Sequence, residues 1–344
     1  MMQTVLLGDV IELVYGKSLP QRSRVSGRFP VFGSNGQVDM HNKYLVGGPG
    51  IIVGRKGSVG EVIWSKQDFW PIDTTYYVRL KNPDDDLRYW YYVLKTLGLN
   101  KLNSHSAIPG LNRDVAYIKQ VPLRSTLEQE KIANILGSLD EKIELNRRMN
   151  ETLEQLGQAL FRYYFVDNPE AKNWKKRSLG EFFPVKTGKK DANFSTKDGK
   201  FPFFTCAQTI SRAPSYSFDG SAILVAGNGD FNIKYYTGRF EAYQRTYVLI
   251  PHHEELLGFL YFLMKKDLSL ITGGSRGSVI KFITKGMIEN YRVELPDDND
   301  LAAFAPIFSE LLYLISHNNE QIQTLVALRD SLLPQLMTGK VEVK

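Results

Sequence analysis

Residues 27–32 read GRFPVF and residues 199–204 read GKFPFF, a separation of 199 − 27 = 172 in a chain of 344 residues. The chain is twice as long as that separation, and repetition at a fixed interval constrains architecture before any single motif does. The same interval carries Leu7-Gly8 onto Leu179-Gly180, Gly16-Lys17 onto Gly188-Lys189, Ile51 and Val53 onto Ile223 and Val225, and Gly57 onto Gly229. It slips to 171 where TTYYVRL (74–80) faces RTYVLI (245–250), and to 170 where YWYYVL (89–94) faces FLYFLM (259–264). It then returns to 172 for Val121 and Val293, Ile143 and Ile315, Leu153 and Leu325, and Leu160 and Leu332. A matched order of strands, turns and helix over the whole length implies two similar halves.

The text of each half is of two kinds. Over 1–125, short β-branched and aromatic runs (IIVG, EVIWS, TYYVRL) alternate with GSNG, VGGPG and GRKGSVG punctuation, with one helical stretch at 86–97. That pattern predicts an α+β domain with glycine-rich loops, repeated over 171–298. Residues 126–165 contain no proline, and Ile132, Leu136, Leu139, Ile143, Leu153 and Leu160 follow the alternating four-and-three spacing of a helical seam. Phe304, Phe308, Leu311, Ile315, Ile322, Leu325, Leu332 and Leu336 repeat that rhythm in the C-terminal segment. The expected division is therefore a globular domain at 1–125, a long helix at 126–170, a second globular domain at 171–298 and a second long helix at 299–344. A pseudo-two-fold relation between the halves makes the two helices antiparallel. Asn146 and Asn318, again 172 apart, interrupt the seam. Either they sit at core positions and set the register, or both face outward.

Composition excludes several classes. Hydrophobic residues make up 43% of the chain, enough for packed cores, and no run of eighteen apolar residues offers a membrane span. The opening MMQTVLLGDVIEL has neither a basic leading region nor a small-residue cleavage site, and a single cysteine, Cys206, rules out an intrachain disulfide framework. A cytoplasmic location is the expectation. Forty-three Lys and Arg against 37 Asp and Glu give a net charge of +6, compatible with a polyanionic partner without demanding one.

The order of α+β domain, long helix, second α+β domain and second long helix resembles the DNA-specificity (S) subunit of type I restriction–modification systems. So do the helix texts LEQEKIANILGSLDEKIELNRRMNETLEQLGQALFRYYF (127–165) and NNEQIQTLVALRDSLLPQLMTGKVEV (318–343), the openings LGDVIELVYGKSLP and SLGEFFPVKTGKK, and the turn GRFPVFGSNG (27–36). The resemblance implies two target-recognition domains on a coiled coil, each reading one half of a bipartite, gapped, double-stranded DNA sequence. It implies docking of two methyltransferase (M) subunits on the helices and association with restriction/motor (R) subunits. S-adenosylmethionine would then belong to the methyltransferase partner, and this chain would hold no cofactor.

The residues themselves offer no catalytic constellation. No NPPY- or DPPY-like tetrapeptide is present, and Gly54, Gly57 and Gly60 fit neither a P-loop nor a dinucleotide fingerprint. The acidic clusters at 83–86 and 296–300 lack the E-x-K that would complete a nuclease motif, and His41, His105, His252, His253 and His317 show no metal spacing with one another or with Cys206. Catalytic and metal sites are therefore expected to be absent. A stand-alone nuclease or methyltransferase, a protein-binding scaffold without DNA readout, and the specificity subunit of a fused restriction–methylation enzyme are the rival readings.

Base readout needs donors and acceptors on protruding loops, with Lys and Arg beside them for phosphates. In the first half the candidates are Lys17, Arg22, Ser34, Asn35, Gln37, Arg55, Lys56, Ser58, His105, Ser106 and Asn112. In the second half they are Lys189, Lys190, Thr205, Gln208, Asn228, Asp230, Asn232, Tyr243, Gln244, Arg245, Arg276, Ser278 and Lys281. Leu156, Phe161, Tyr163 and Phe165 are either a docking surface for a partner or additional packing within the helical pair. Because the loop texts differ between halves while the scaffolds match, the two half-sites are expected to differ in sequence.

Overall fold

The computed structural model describes residues 3–102, 110–273 and 281–343. The chain forms two compact units, residues 1–145 with 321–344, and residues 146–320.

In the first unit, β1 (Thr4–Leu6) is followed by the single turn α1 (Leu7–Val10), β2 (Ile11–Tyr15), β3 (Phe29–Gly33), β4 (Gly36–His41), β5 (Gly50–Gly54), β6 (Val62–Ser65), β7 (Trp70–Pro71) and β8 (Thr75–Leu80). Then come α2 (Leu87–Thr96), the short α3 (Arg113–Tyr117), β9 (Gln120–Pro122) and the long α4 (Thr126–Phe161). The strands make a sheet of order β2-β8-β5-β6, a second of order β4-β3-β7, and the antiparallel pair β1-β9. The GIIVG run forms β5 because both of its faces are covered. Ile51 and Val53 join the core that contains Tyr89 and Trp90 of α2, while Ile52 packs with Phe32 and Phe69 on the other side.

The second unit holds β10 (Lys175–Ser178), β11 (Val185–Thr187), β12 (Phe201–Phe204), β13 (Ser211–Ala213), β14 (Phe218–Ala226), β15 (Ile233–Ala242) and β16 (Thr246–Leu249). These precede α5 (Leu257–Thr272), α6 (Lys285–Glu289), β17 (Arg292–Leu295) and the long α7 (Asp298–Thr338). The plan of the first unit recurs. β10 pairs with β17 as β1 does with β9, and the parallel contact of Val31 with Trp70 returns as Phe203 with Glu241. The face alternation returns as well: Ile223 and Val225 enter the main core, and Ala222 and Leu224 a second cluster. One difference is the ten-residue β15, which stands where the first unit has the separate β6 and β7, so the second unit has one six-stranded sheet, β11-β16-β14-β15-β12-β13.

Each unit closes its core with pieces of both long helices. In the first, Ile132, Ala133 and Leu136 of α4 share a cluster with Leu336 and Met337 of α7. Ser125 and Glu128 start α4 as a reciprocal cap: Ser125 Oγ donates to the Glu128 carboxylate at 2.8 Å, and the Glu128 N–H donates back at 3.4 Å. The helices run antiparallel here, since Arg124 reaches the Leu336 carbonyl while Asp140 accepts from Arg329 Nη1 at 2.7 Å. In the second unit Phe161 lies 5.9 Å from Phe308, and Asn150 meets Asn318 and Asn319, which is antiparallel again. Gly258 of α5 lies close against α7. A Cβ there would lie 2.4 Å from the Phe308 carbonyl carbon, so any other residue would push α5 off α7.

The two seam asparagines are both inward: Asn146 is 0% exposed and Asn318 is 5% exposed. Asn318 Nδ2 donates to Asn150 Oδ1 at 2.8 Å, and Asn150 Nδ2 donates to Asn319 Oδ1 at 2.9 Å, a short polar ladder that fixes one register. The four candidate docking residues divide. Phe161 and Phe165 are core, packed edge-on or tilted among Phe259, Phe304 and Phe308, whereas Leu156 and Tyr163 are exposed, Tyr163 at 70%. Among the described residues no helix is long and apolar enough to cross a membrane.

Phe308→Ala is expected to lower stability by about 3–5 kcal/mol through the cavity left among four aromatic rings. Tyr313→Ala, on the exposed side of the same helix, is expected to change it by less than about 0.5 kcal/mol. Denaturant unfolding followed by circular dichroism checks both; equal losses would refute the packing described.

Candidate nucleic-acid interface

In the first unit β2 ends at Tyr15, directly opposite Tyr76 of β8. Tyr76 is buried, and its hydroxyl donates to the Leu111 carbonyl at 3.1 Å. The Leu111 N–H in turn donates to the Arg55 carbonyl at 2.9 Å, and Gly110 bridges Lys56. The segment before α3 is thereby strapped across the 55–58 loop. The β3–β4 turn leans on the same loop: Ser34 Oγ donates to the Lys56 carbonyl, and Ser58 Oγ to Asn35 Oδ1 at 3.3 Å. Arg55 lays Nε and Nη2 on the Asp73 carbonyl at 3.1 and 2.7 Å, with its guanidinium carbon 5.1 Å from the Tyr15 ring centroid. Arg113 approaches the same ring at 5.1 Å.

The second unit repeats this skeleton bond for bond. Ile283 N–H donates to the Gly227 carbonyl at 3.0 Å, Asn228 bridges Phe282, and the Tyr247 hydroxyl donates to the Ile283 carbonyl at 2.8 Å. The strand-crossing glycines match too. A Cβ on Gly16 would meet the Ile72 carbonyl oxygen at 2.1 Å, and one on Gly188 the Tyr243 carbonyl oxygen at 2.1 Å, so only glycine lets Lys17 and Lys189 leave their strands there. The side chains hung on the skeleton differ. The first unit has Arg55 facing Thr74, whose carbonyl accepts the Arg55 N–H at 2.9 Å; the second has Gly227 facing Arg245, with the same bond at 2.8 Å. Without an arginine at 227, a cleft of about 240 Å³ opens between Gly227, Gln244, Arg245, Tyr247 and Ile283.

Of the first-half candidates, Ser34, Asn35, Arg55, Lys56, Ser58 and Asn112 lie in or beside this strapped loop group, Asn112 as the cap of α3. Lys17 sits at its edge, its carbonyl accepting from Trp70 Nε1 at 2.9 Å. Arg22 is on a separate turn, Gln21–Ser23, and the Gln37 amide turns to the Met40 sulfur. In the second half, Thr205, Gln208, Asn228, Asp230, Gln244, Arg245 and Lys281 gather on one loop cluster. Gln208 Nε2 donates to Asp230 Oδ2 at 3.0 Å, and Gly229 N–H to the Lys281 carbonyl at 3.0 Å. Lys190 bridges Tyr243 and lies 4.6 Å from the Phe194 ring, while Lys189 lies 5.6 Å from that of Phe218.

Asn232 is a correction to the sequence expectation. It is buried and its amide donates to the Cys206 and Asp230 carbonyls at 2.8 and 2.9 Å, so it shapes the loop from inside. His105, Ser106, Arg276 and Ser278 lie outside the described residues. Tyr15, Trp70, Tyr76 and Arg113 were not among the sequence candidates. The exposed Tyr15 at the end of the alternating IELVY run was the one available signal.

Burial and the neighbouring Tyr15 hydroxyl push the Tyr76 phenol up to about 12, and burial raises Tyr247 as well. Burial lowers the ammonium pKa of Lys234, which donates to the Ala207 carbonyl at 2.7 Å. Among the described residues no group of three or more His, Cys, Asp or Glu is placed to hold a metal.

A family model for the type I restriction modification DNA specificity domain matches residues 1–155 and again residues 171–326. The type I restriction enzyme EcoDI specificity subunit of Escherichia coli is 43% identical over 173 residues, 49% of this chain and 39% of that protein, so the match spans well under two thirds of the relative. The MjaIX specificity subunit of Methanocaldococcus jannaschii is 24% identical over 341 residues, covering 86% of this chain and 78% of that one. A crystal structure of a type I restriction-modification S subunit from M. genitalium superposes with a TM-score of 0.69 over 98% of this chain and 96% of that one, at 20% identity, a likeness of fold.

The Tyr76–Leu111 strap has a pH signature. The folded phenol holds its proton to about 12 whereas an unperturbed tyrosine loses it near 10.0, so the strap's contribution is intact below pH 10.0 and declines as pH rises toward 12. Tyr76→Phe is expected to be about 1 kcal/mol less stable than the parent at pH 8. That difference should shrink over the alkaline window, and a constant difference in urea midpoints there would refute the buried, protonated state of Tyr76.

Proposed function

Because this chain belongs to the type I restriction–modification DNA-specificity family, we propose that it is the sequence-reading subunit of such a system, each unit reading one half of a bipartite, gapped DNA target. The observation that carries this is the pair of faces with one backbone skeleton and exchanged side chains, Arg55 and Thr74 in one, Gly227 and Arg245 in the other. Matching backbones present donors to the groove in the same pose, and different side chains select different bases. The half-sites therefore differ in sequence. Lys17, Lys56, Lys189 and Lys281, exposed around these faces, serve the phosphates and make binding salt-dependent.

The chain recognises and does not catalyse. Methyl transfer to adenine from S-adenosylmethionine belongs to two methyltransferase subunits that dock on the helices, where Leu156 and Tyr163 expose apolar surface, and cleavage belongs to restriction/motor subunits. The complex works in the cytoplasm, where its DNA is. The 36-residue α4, at ~1.5 Å per residue, is roughly 54 Å long and sets the spacing of the half-sites together with α7.

Co-expression with the methyltransferase subunit of the same system in a methylation-free host, followed by sequencing for N6-methyladenine, is expected to yield a two-part, gapped, asymmetric motif that disappears when this chain is omitted. Replacing residues 1–125 with another reader is expected to change one half only. A co-purifying complex that leaves DNA unmethylated, or a swap that alters both halves, overturns the reading. Deleting four residues from α4 shortens it by ~6 Å and is expected to shift the gap by roughly two base pairs. An unchanged gap in an active complex would refute the spacer role.

A further inference from the structure

The two faces differ most sharply at the end of the second strand of each half. Tyr15 is 50% exposed at the rim of the first face, yet two guanidinium groups crowd its ring, those of Arg55 and Arg113, each with its carbon 5.1 Å from the centroid. Tyr76 supports the ring from below at 5.0 Å. An exposed tyrosine at a strand end would ordinarily be solvated and mobile; here its surroundings hold it. Arg55 is itself fixed, two of its nitrogens lying on the Asp73 carbonyl. The positions 172 further on carry Thr187 and Lys285, and Lys285 pairs with Glu289 at 3.1 Å. Among the described residues, the second face carries Thr187 where the first has Tyr15.

We propose that Arg113, whose guanidinium lies over the Tyr15 ring, reads a guanine in the half-site of the first unit, with Arg55 as the positioning residue that holds the ring in place. The inference rests on the reading that this face contacts DNA. A phosphate needs only nearby charge, which the exposed lysines supply, whereas a planar guanidinium held against a ring has its fork direction restricted before binding. Such a fork matches the O6 and N7 acceptors of guanine in the major groove, an arrangement that discriminates by roughly ten-fold or more per base. Lys285 on its flexible stem presents a point charge and no fork, so the corresponding base of the other half-site is read differently.

The test uses the co-expressed complex and methylation mapping, with the half-site of residues 1–125 assigned by the domain swap. Arg113→Gln and Tyr15→Leu are expected to relax one guanine position in that half-site by roughly ten-fold or more and leave the other half-site unchanged. Tyr15→Phe, which keeps the ring, is expected to retain the preference. Arg113→Lys keeps the charge and loses the fork, so it is expected to methylate with the same position relaxed, which separates readout from a folding defect. Parental discrimination at every position in Arg113→Lys and Tyr15→Leu overturns the proposal. A parent complex that yields no bipartite motif overturns the functional reading beneath it instead.

Discussion

Each globular half completes its core with apolar residues from both long helices, and the rest of the structure depends on that closure. Phe308 of α7 lies within 6.1 Å of Phe161, Phe165, Phe259 and Phe262, so α4, α5 and α7 meet around one ring. In the other unit Tyr89 and Trp90 of α2 share a core with Leu136 of α4 and Leu336 of α7. Remove either helix and large aromatic surface is returned to water at ~25 cal/mol per Å². The helices are structural walls of the globular units, since each core cluster includes residues of both.

That closure has a consequence for recognition. A loop can present a donor to a base edge only if its backbone is held to within fractions of an ångström, and loops have few buried contacts of their own. Here the loops borrow rigidity through short chains of hydrogen bonds. Tyr76 to Leu111 to Arg55 in one unit, and Tyr247 to Ile283 to Gly227 in the other, run from the sheet out to the loop. Because the chain of bonds uses carbonyls and N–H groups of the loop, the side chains at 55 and 227 are free to differ. Arg55 lies over Tyr15, and Gly227 leaves a cleft. One backbone pattern carries different side chains in the two units.

The duplication was legible because it is written in positions that physics constrains locally. Gly16 and Gly188 sit where a Cβ would strike a carbonyl, and the IIV and ILV runs sit between two apolar clusters, so both kinds of position tolerate little variation. The helical seam was legible for the same reason, down to Asn146 and Asn318, although the sequence left their inward placement open. The loop candidates of each half come together in the structure as groups, and not every member faces out. Asn232 reads like any loop asparagine, and only the carbonyls of Cys206 and Asp230 brought beside it show that it faces inward.

By itself the sequence determined the two-fold repetition, the α+β character of each half and the long helices, since strand alternation, helical period and turn residues are short-range patterns. The tertiary structure alone decided what meets what. Tyr15 and Arg113 stand 113 − 15 = 98 positions apart, and their contact exists because β2, β8 and the strap before α3 close on one another. Phe161 and Tyr163 are two residues apart in one aromatic run, and one is core and the other exposed. Which side of a helix finds a partner is set by long-range packing, and no local pattern carries that information.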